Sequence, residues 1–147
     1  MARHSLLDRL LRLSWHERLL LVEATTFLAV ASIAIAVVPF RRIAAFASRR
    51  ANRPAAPAHV DAHKLSWAVN ACANRVPWRA VCFQRGLALH HMLQRRGRPS
   101  LLHYGVATKG KEGLEAHVWV TCDGVDIIGG EEARRFTCLA TFPGSKT

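Results

Sequence analysis

"LEAHVWVTCDGVDIIGG", residues 114–130, is the stretch on which the reading of the fold turns. Val118, Val120 and Cys122 alternate with His117, Trp119 and Thr121, the period of two that a half-buried strand requires. Asp123-Gly124 then supplies the pair that tight hairpin turns favour, because both central positions need a positive φ. The return strand is Val125 to Gly130. Counting outward from the turn pairs Cys122 with Val125, Thr121 with Asp126 and His117 with Gly130. A histidine thus opens an otherwise apolar strand.

Upstream, "SLLHYGVAT" (100–108) reads as a strand and residues 109–113 as a Lys/Gly turn. Downstream, "FTCLATF" (136–142) reads as a further strand. Everything before residue 100 reads as helix. Ser14 and Glu17 have the capping-box spacing, which predicts a helix starting at Trp15 and ending or kinking at Pro39. Two more helices are expected, about Asp61 to Asn74 and about Val81 to Arg96, the second stopped by Gly97 and Pro99. Helices followed by an antiparallel sheet make an α+β fold, with the helix beginning near Cys82 packed on the sheet. The organisation expected is a hydrophobic helical lead-in over 1–50, a Pro/Ala linker over 51–60 and a core over 61–147.

The chain has 147 residues, enough for one domain with a core. Lys and Arg number 21 against 10 Asp and Glu, for a formal charge of +11. That balance favours acidic partners. Nucleic acid is not expected, since aromatic platforms, zinc spacing and a recognition helix are all missing from the pattern. From Ala24 to Phe40 no residue is charged, a length at the lower edge of a membrane span. Its Ala, Thr and Ser content and the interrupting Glu23 point instead to a core-facing or partner-facing helix, without stable membrane insertion. Residues 1–15 carry no small-residue cleavage site, so a cytoplasmic protein without a disulfide framework is expected. No CxxC occurs, and His90-His91 has no ligand partner at helical spacing, so neither a metal nor a cofactor is expected.

Cys82 is the candidate nucleophile. A thiol in the first turn of a helix feels the positive end of the dipole and unpaired backbone N–H groups, which favour thiolate. The Cys82 N–H is also placed to donate to a developing oxyanion. Gly86, Leu89 and Leu93 share its helix face, and Gly86 leaves room for a strand to approach closely. His117 is the candidate base, expected to face the helix that begins at Cys82. Cys72, Cys122 and Cys138 read as buried thiols, and Asp123 as turn chemistry.

These motifs, in order, resemble the stand-alone leader peptidase of lasso-peptide biosynthesis, a family with a transglutaminase-like, papain-related core. The resemblance rests on "CFQRGLALHHMLQRRGRPSLLHYGV" (82–106) and "EAHVWVTCDGVDIIGGEEARRFTCLATFP" (115–143), with "SWHERLLLVEA" and "PFRRI" similar to the family's helical lead-in. It covers about residues 10–143. It implies a cysteine peptidase that removes the leader from a ribosomally made precursor peptide. The implied partners are that precursor, a separate leader-recognition protein and an ATP-dependent lasso cyclase that closes the macrolactam. The alternative is a non-catalytic peptide-binding or scaffold module of the same maturation complex.

By resemblance the catalytic pair is Cys82 and His117, with Arg85 and Trp119 as substrate-binding candidates. Many relatives carry an Asp twelve residues after the His, where this chain has Gly129. Asp126 shares the face of His117 but sits two pairs away, at about 6.6 Å per pair. Glu131 adjoins the paired position. Asp126, Glu131 and a backbone carbonyl or water all stay open as the group that orients the imidazole.

Overall fold

Serine caps start the chain's first helices, and those caps follow directly from sequence. The computed structural model describes residues 5–49 and 61–143. Ser5 caps α1 (Leu6–Leu11), and Ser14 caps α2 (Trp15–Val37). The Ser14 hydroxyl accepts from the Glu17 N–H at 3.3 Å, and the Glu17 carboxylate accepts from the Ser14 N–H at 2.8 Å. Pro39, which cannot continue a helix, separates α2 from α3 (Phe40–Ala47). The expected linker over 51–60 lies outside the described residues. Asp61 then caps α4 (Ala62–Ala73), accepting from the His63 N–H at 2.9 Å. α5 (Cys82–Arg95) follows and ends just before Gly97, which has a φ of 67°.

The sheet is built from β1 (Ser100–Thr108), β2 (Leu114–Cys122), β3 (Val125–Ile128) and β4 (Thr137–Phe142), with the short helix α6 (Gly130–Ala133) between the last two. The strand order is β3-β2-β1-β4 and every pairing is antiparallel. This is the α+β architecture expected. Next to the turn the hairpin keeps the expected register, Cys122 with Val125 and Thr121 with Asp126. One pair further on a bulge intervenes, and Val120 pairs with Ile128. The expected pairing of His117 with Gly130 is therefore not made, because the extra residue shifts the frame and β3 ends at Ile128.

α5 lies directly on β2. A Cβ built on Gly86 would fall 2.6 Å from the Val118 side chain, closer than real contacts come. The glycine is what lets helix and strand touch, as expected. Leu89, Met92 and Leu93 fill the interior from α5, and Leu102, Val118 and Val120 fill it from the sheet. Leu65, Ala68 and Val69 of α4 and Ala24, Leu28 and Ala31 of α2 close the other side. Burying side chains of this size is worth roughly 1.5–3 kcal/mol for each large aliphatic.

Glu23, the one charge in the apolar run of α2, is an anchor. Its carboxylate takes both Arg96 amines, at 2.8 and 2.6 Å, and so ties α2 to the end of α5. That bonding holds the Glu23 carboxyl below its ordinary range against the opposing effect of burial. All four cysteines are free thiols. Cys72 and Cys122 are buried as expected, but Cys138 is exposed, because β4 is an edge strand whose first three residues are all open to solvent.

His90 is the buried polar group that joins α3, α5 and β1. Its Nε2–H donates to the Ala47 carbonyl at 3.0 Å, and its Nδ1 accepts from the Ser100 hydroxyl at 2.8 Å. Burial pushes its pKa down from 6.5 to about 4, outweighing the Ala47 bond. Above pH 6.5 neither the folded nor the unfolded chain protonates this ring, and its contribution is complete. As pH falls towards 4 the unfolded chain takes up a proton that the folded chain refuses. Up to about 3 kcal/mol of stability should be lost across that window. Burial lowers His91 and His103 as well, which adds to the same slope. Urea titrations from pH 7 to pH 4 measure it; His90→Asn should flatten the curve, and a flat curve in the unaltered protein would refute the buried neutral assignment.

Candidate active site

Cys82 is the first residue of α5, and its thiol is partly exposed. Val81 caps the helix with extended backbone, and its N–H is taken by the Gln84 side chain at 3.1 Å. The N–H of Cys82 lies in the first turn, where no intrahelical acceptor exists. The turn before it is held by Arg85. Its Nε donates to the Ala80 carbonyl at 3.0 Å, and its two amines donate to the Asn70 and Asn74 side chains at 3.1 and 2.9 Å. The guanidinium is thus spent on binding the end of α4 and the 76–81 loop to the start of α5. Asn70 and Asn74 were not singled out in the sequence, although their one-turn spacing was visible there.

Cys82 and His117 line one cavity of about 820 Å³, where the end of α4, the start of α5 and the β3–α6 turn converge. Arg85, Asp126, Gly129 and Glu131 line it too. His117 does not, however, face α5 as expected. Val118 and Val120 take that face against Gly86, and the pleat turns His117 the other way. His117 reaches the cavity at the sheet's edge, where β3 has stopped. Among the described residues no hydrogen bond joins Cys82 to His117.

The imidazole is nonetheless held firmly. Its Nε2 lies 2.8 Å from the Gly129 carbonyl. A carbonyl only accepts, so Nε2 carries the proton and, in the neutral ring, Nδ1 keeps its lone pair. Phe136 stacks on the ring at 4.9 Å between centroids, and Trp119 lies on it at 6.1 Å, with planes 27° and 17° apart. Trp119 is buried, outside the cavity wall, and also stacks on His103 at 5.2 Å. His103 was not singled out in the sequence. It sits between the Thr121 and Thr141 hydroxyls, each at 3.0 Å.

Among the three groups left open to orient His117, the one bonded to it is a backbone carbonyl, that of Gly129. Asp126 pairs across from Thr121, and its charge acts on His103, opposing the fall in pKa that burial causes there. Glu131 is exposed in the first turn of α6. Gly129 has a φ of 74°, and a Cβ there would lie 2.7 Å from the Val118 carbonyl oxygen and 3.2 Å from His117 Nε2. The backbone can present its carbonyl to the imidazole only while residue 129 is glycine.

Nitrogen-15 NMR of the neutral His117 ring should find the Nε2–H tautomer. Gly129→Ala should cost about 1 kcal/mol or more, from the positive φ and the collision with Val118, and should erase the tautomer preference. An unchanged tautomer in that variant would show that the carbonyl does not set it.

No curated protein matches the chain, and no solved structure does. The family comparison does find a match, spanning residues 25–141, from within α2 into β4 and including Cys82, His117 and the whole cavity. On that extent of similarity, with the α+β fold around it, the chain belongs to the transglutaminase-like superfamily.

Proposed function

We propose that the chain is a cysteine peptidase that removes the leader from a ribosomally made lasso precursor peptide. The superfamily includes cysteine-dependent enzymes, which supports the chemistry at this coarser level. The observation that carries the reading is the state of His117. Its Nε2–H is bound to the Gly129 carbonyl, its Nδ1 keeps a lone pair, and the side chain lines the cavity that holds the thiol at the start of α5.

In this mechanism the Cys82 thiol gives its proton to His117 Nδ1, and the sulfur attacks the scissile carbonyl carbon. The oxyanion formed is met by the Cys82 N–H at the helix terminus. The carbon–nitrogen bond breaks, and the imidazolium returns the proton to the leaving amine, which is the amino terminus of the core peptide. Water, deprotonated by the same Nδ1, hydrolyses the thioester and releases the leader carboxylate and the thiol. The sequence of steps requires Cys82 and His117 to close to bonding distance, as catalytic hydrogen bonds often do only with substrate in place. Gly129 orients the ring in place of a carboxylate, and Arg85 acts as a positioning residue through Ala80. The freed amine passes to an ATP-dependent lasso cyclase, and a separate protein recognises the leader.

A second reading has its own observation. The absent Cys82–His117 bond, with no carboxylate on the imidazole, suits a non-catalytic peptide-binding or scaffold module of the same complex. The pH dependence of Cys82 alkylation by iodoacetamide separates the two: a thiolate formed near neutrality supports the peptidase. An inert thiol with leader binding intact supports the module.

With precursor and recognition partner supplied, Cys82→Ala and His117→Ala should each cut cleavage by about a thousandfold or more, measured by mass spectrometry of the released leader. A Cys82→Ala protein that still cleaves removes the peptidase reading. Arg85→Lys reaches at most one of the three acceptors, so it should lower kcat by roughly tenfold with KM little changed.

A further inference from the structure

We infer that the outer face of α2 seats the protein on an anionic lipid surface. α2 is the one helix among the described residues long and apolar enough to cross a membrane, yet it does not have the surroundings of a spanning helix. The Glu23–Arg96 pair ties the helix to α5 along one flank, and Ala24, Leu28 and Ala31 are its buried residues. The opposite side is open. Leu19 is 50% exposed, Val22 65%, Val30 55%, Ile33 62% and Val37 71%.

With Trp15 and Thr26 these positions fall at steps of four, three and four residues, taken twice. That eleven-residue period is close to the helix's own, so the stripe runs nearly straight along it. From Leu19 to Val37 it is about 27 Å long. No exposed residue of α2 beyond Trp15 and His16 is charged or aromatic. A helix meant for water alone would carry a polar side there.

The chemistry of the face favours lipid over protein. Thr25 and Thr26 turn their hydroxyl protons back onto the Leu21 and Val22 carbonyls, each at 2.8 Å. From Leu19 to Val37 the stripe therefore offers methyl groups and no free side-chain donor, whereas protein interfaces carry directional hydrogen bonds. Cations stand at both ends: Arg9 and Arg12 before α2, Arg41 and Arg42 after it, all exposed. The acidic groups at the first end are engaged, Asp8 with the Ser5 N–H and Glu17 with Ser14 and Lys64. Exposed Trp15 sits at the first end, where a ring settles at the headgroup boundary. An apolar stripe between cationic ends complements acyl chains edged by anionic headgroups. The body of the protein takes the place of the polar side that an interfacial helix normally carries, and the helix lies along the surface without crossing it.

The inference stands apart from the peptidase reading, and its test needs no cleavage. The full chain is floated on a density gradient with vesicles of phosphatidylglycerol and phosphatidylethanolamine, or of phosphatidylcholine alone. Recovery should be about tenfold higher with the anionic vesicles and should fall with salt. Val30→Gln with Ile33→Gln should stay at the bottom while melting like the parent, because both positions are outside the core. Arg41→Glu with Arg42→Glu should lose most of the anionic preference. The inference is overturned if the unaltered chain does not float, or if the glutamine variant floats equally well. It is also overturned if the unaltered chain is a dimer in sedimentation that the glutamine variant dissolves without any vesicle binding, since a second copy then covers the face.

Discussion

The contact between Gly86 and Val118 governs the molecule. Helix and strand meet there without a side chain on the helix, so α5 settles against β2 more closely than any other residue at 86 would permit. One consequence places the start of α5, and with it the Cys82 thiol, beside the lower end of the hairpin. A second follows from the pleat. Once Val118 and Val120 face the helix, His117 and Trp119 are turned to the opposite side. The site therefore forms at an edge, where the thiol comes from one layer and the imidazole rounds the end of another.

An edge site needs its histidine held, and the hairpin supplies the means. The bulge between Val120 and Thr121 shifts the frame of β3, and Gly129, in left-handed conformation, brings its carbonyl to the ring. A peptide carbonyl does there what a carboxylate does in many cysteine enzymes: it selects the Nε2–H tautomer and leaves Nδ1 to take a proton. It carries no formal charge, so it stabilises an imidazolium less than an aspartate would. Phe136 and Trp119 fix the plane of the ring.

Polar contacts elsewhere do similar anchoring work. Glu23 fastens α2 to α5, His90 joins α3 to α5 and β1, and Arg85 binds the loop ahead of Cys82 to α4. Each is a polar group whose removal would leave its partner unpaired, so each specifies where a helix sits as much as how strongly it is held. α2 is positioned in this way along one side, which leaves an apolar stripe on its other face exposed.

Much of this was legible in the sequence because it depends on neighbours in the chain. The Ser14–Glu17 cap, the stop at Pro39, the Asp123-Gly124 turn, the alternation of β2 and the small residue at 86 are local physics, and each is where it was expected. The order of residues also singled out Cys82 and His117 as candidates, and both line one cavity. Tertiary structure alone decided the rest. The bulge that cancels the His117–Gly130 pairing arises from how β3 meets β2, and no residue type announces it. The partner of His117 is a carbonyl, which every residue possesses, so no side-chain pattern could reveal it. The two asparagines under Arg85 are eleven and fifteen residues away from it in sequence, and Glu23 is far from Arg96. Local preferences set which elements form; where the elements touch is set by packing between segments distant in the chain, and only the folded molecule carries that information.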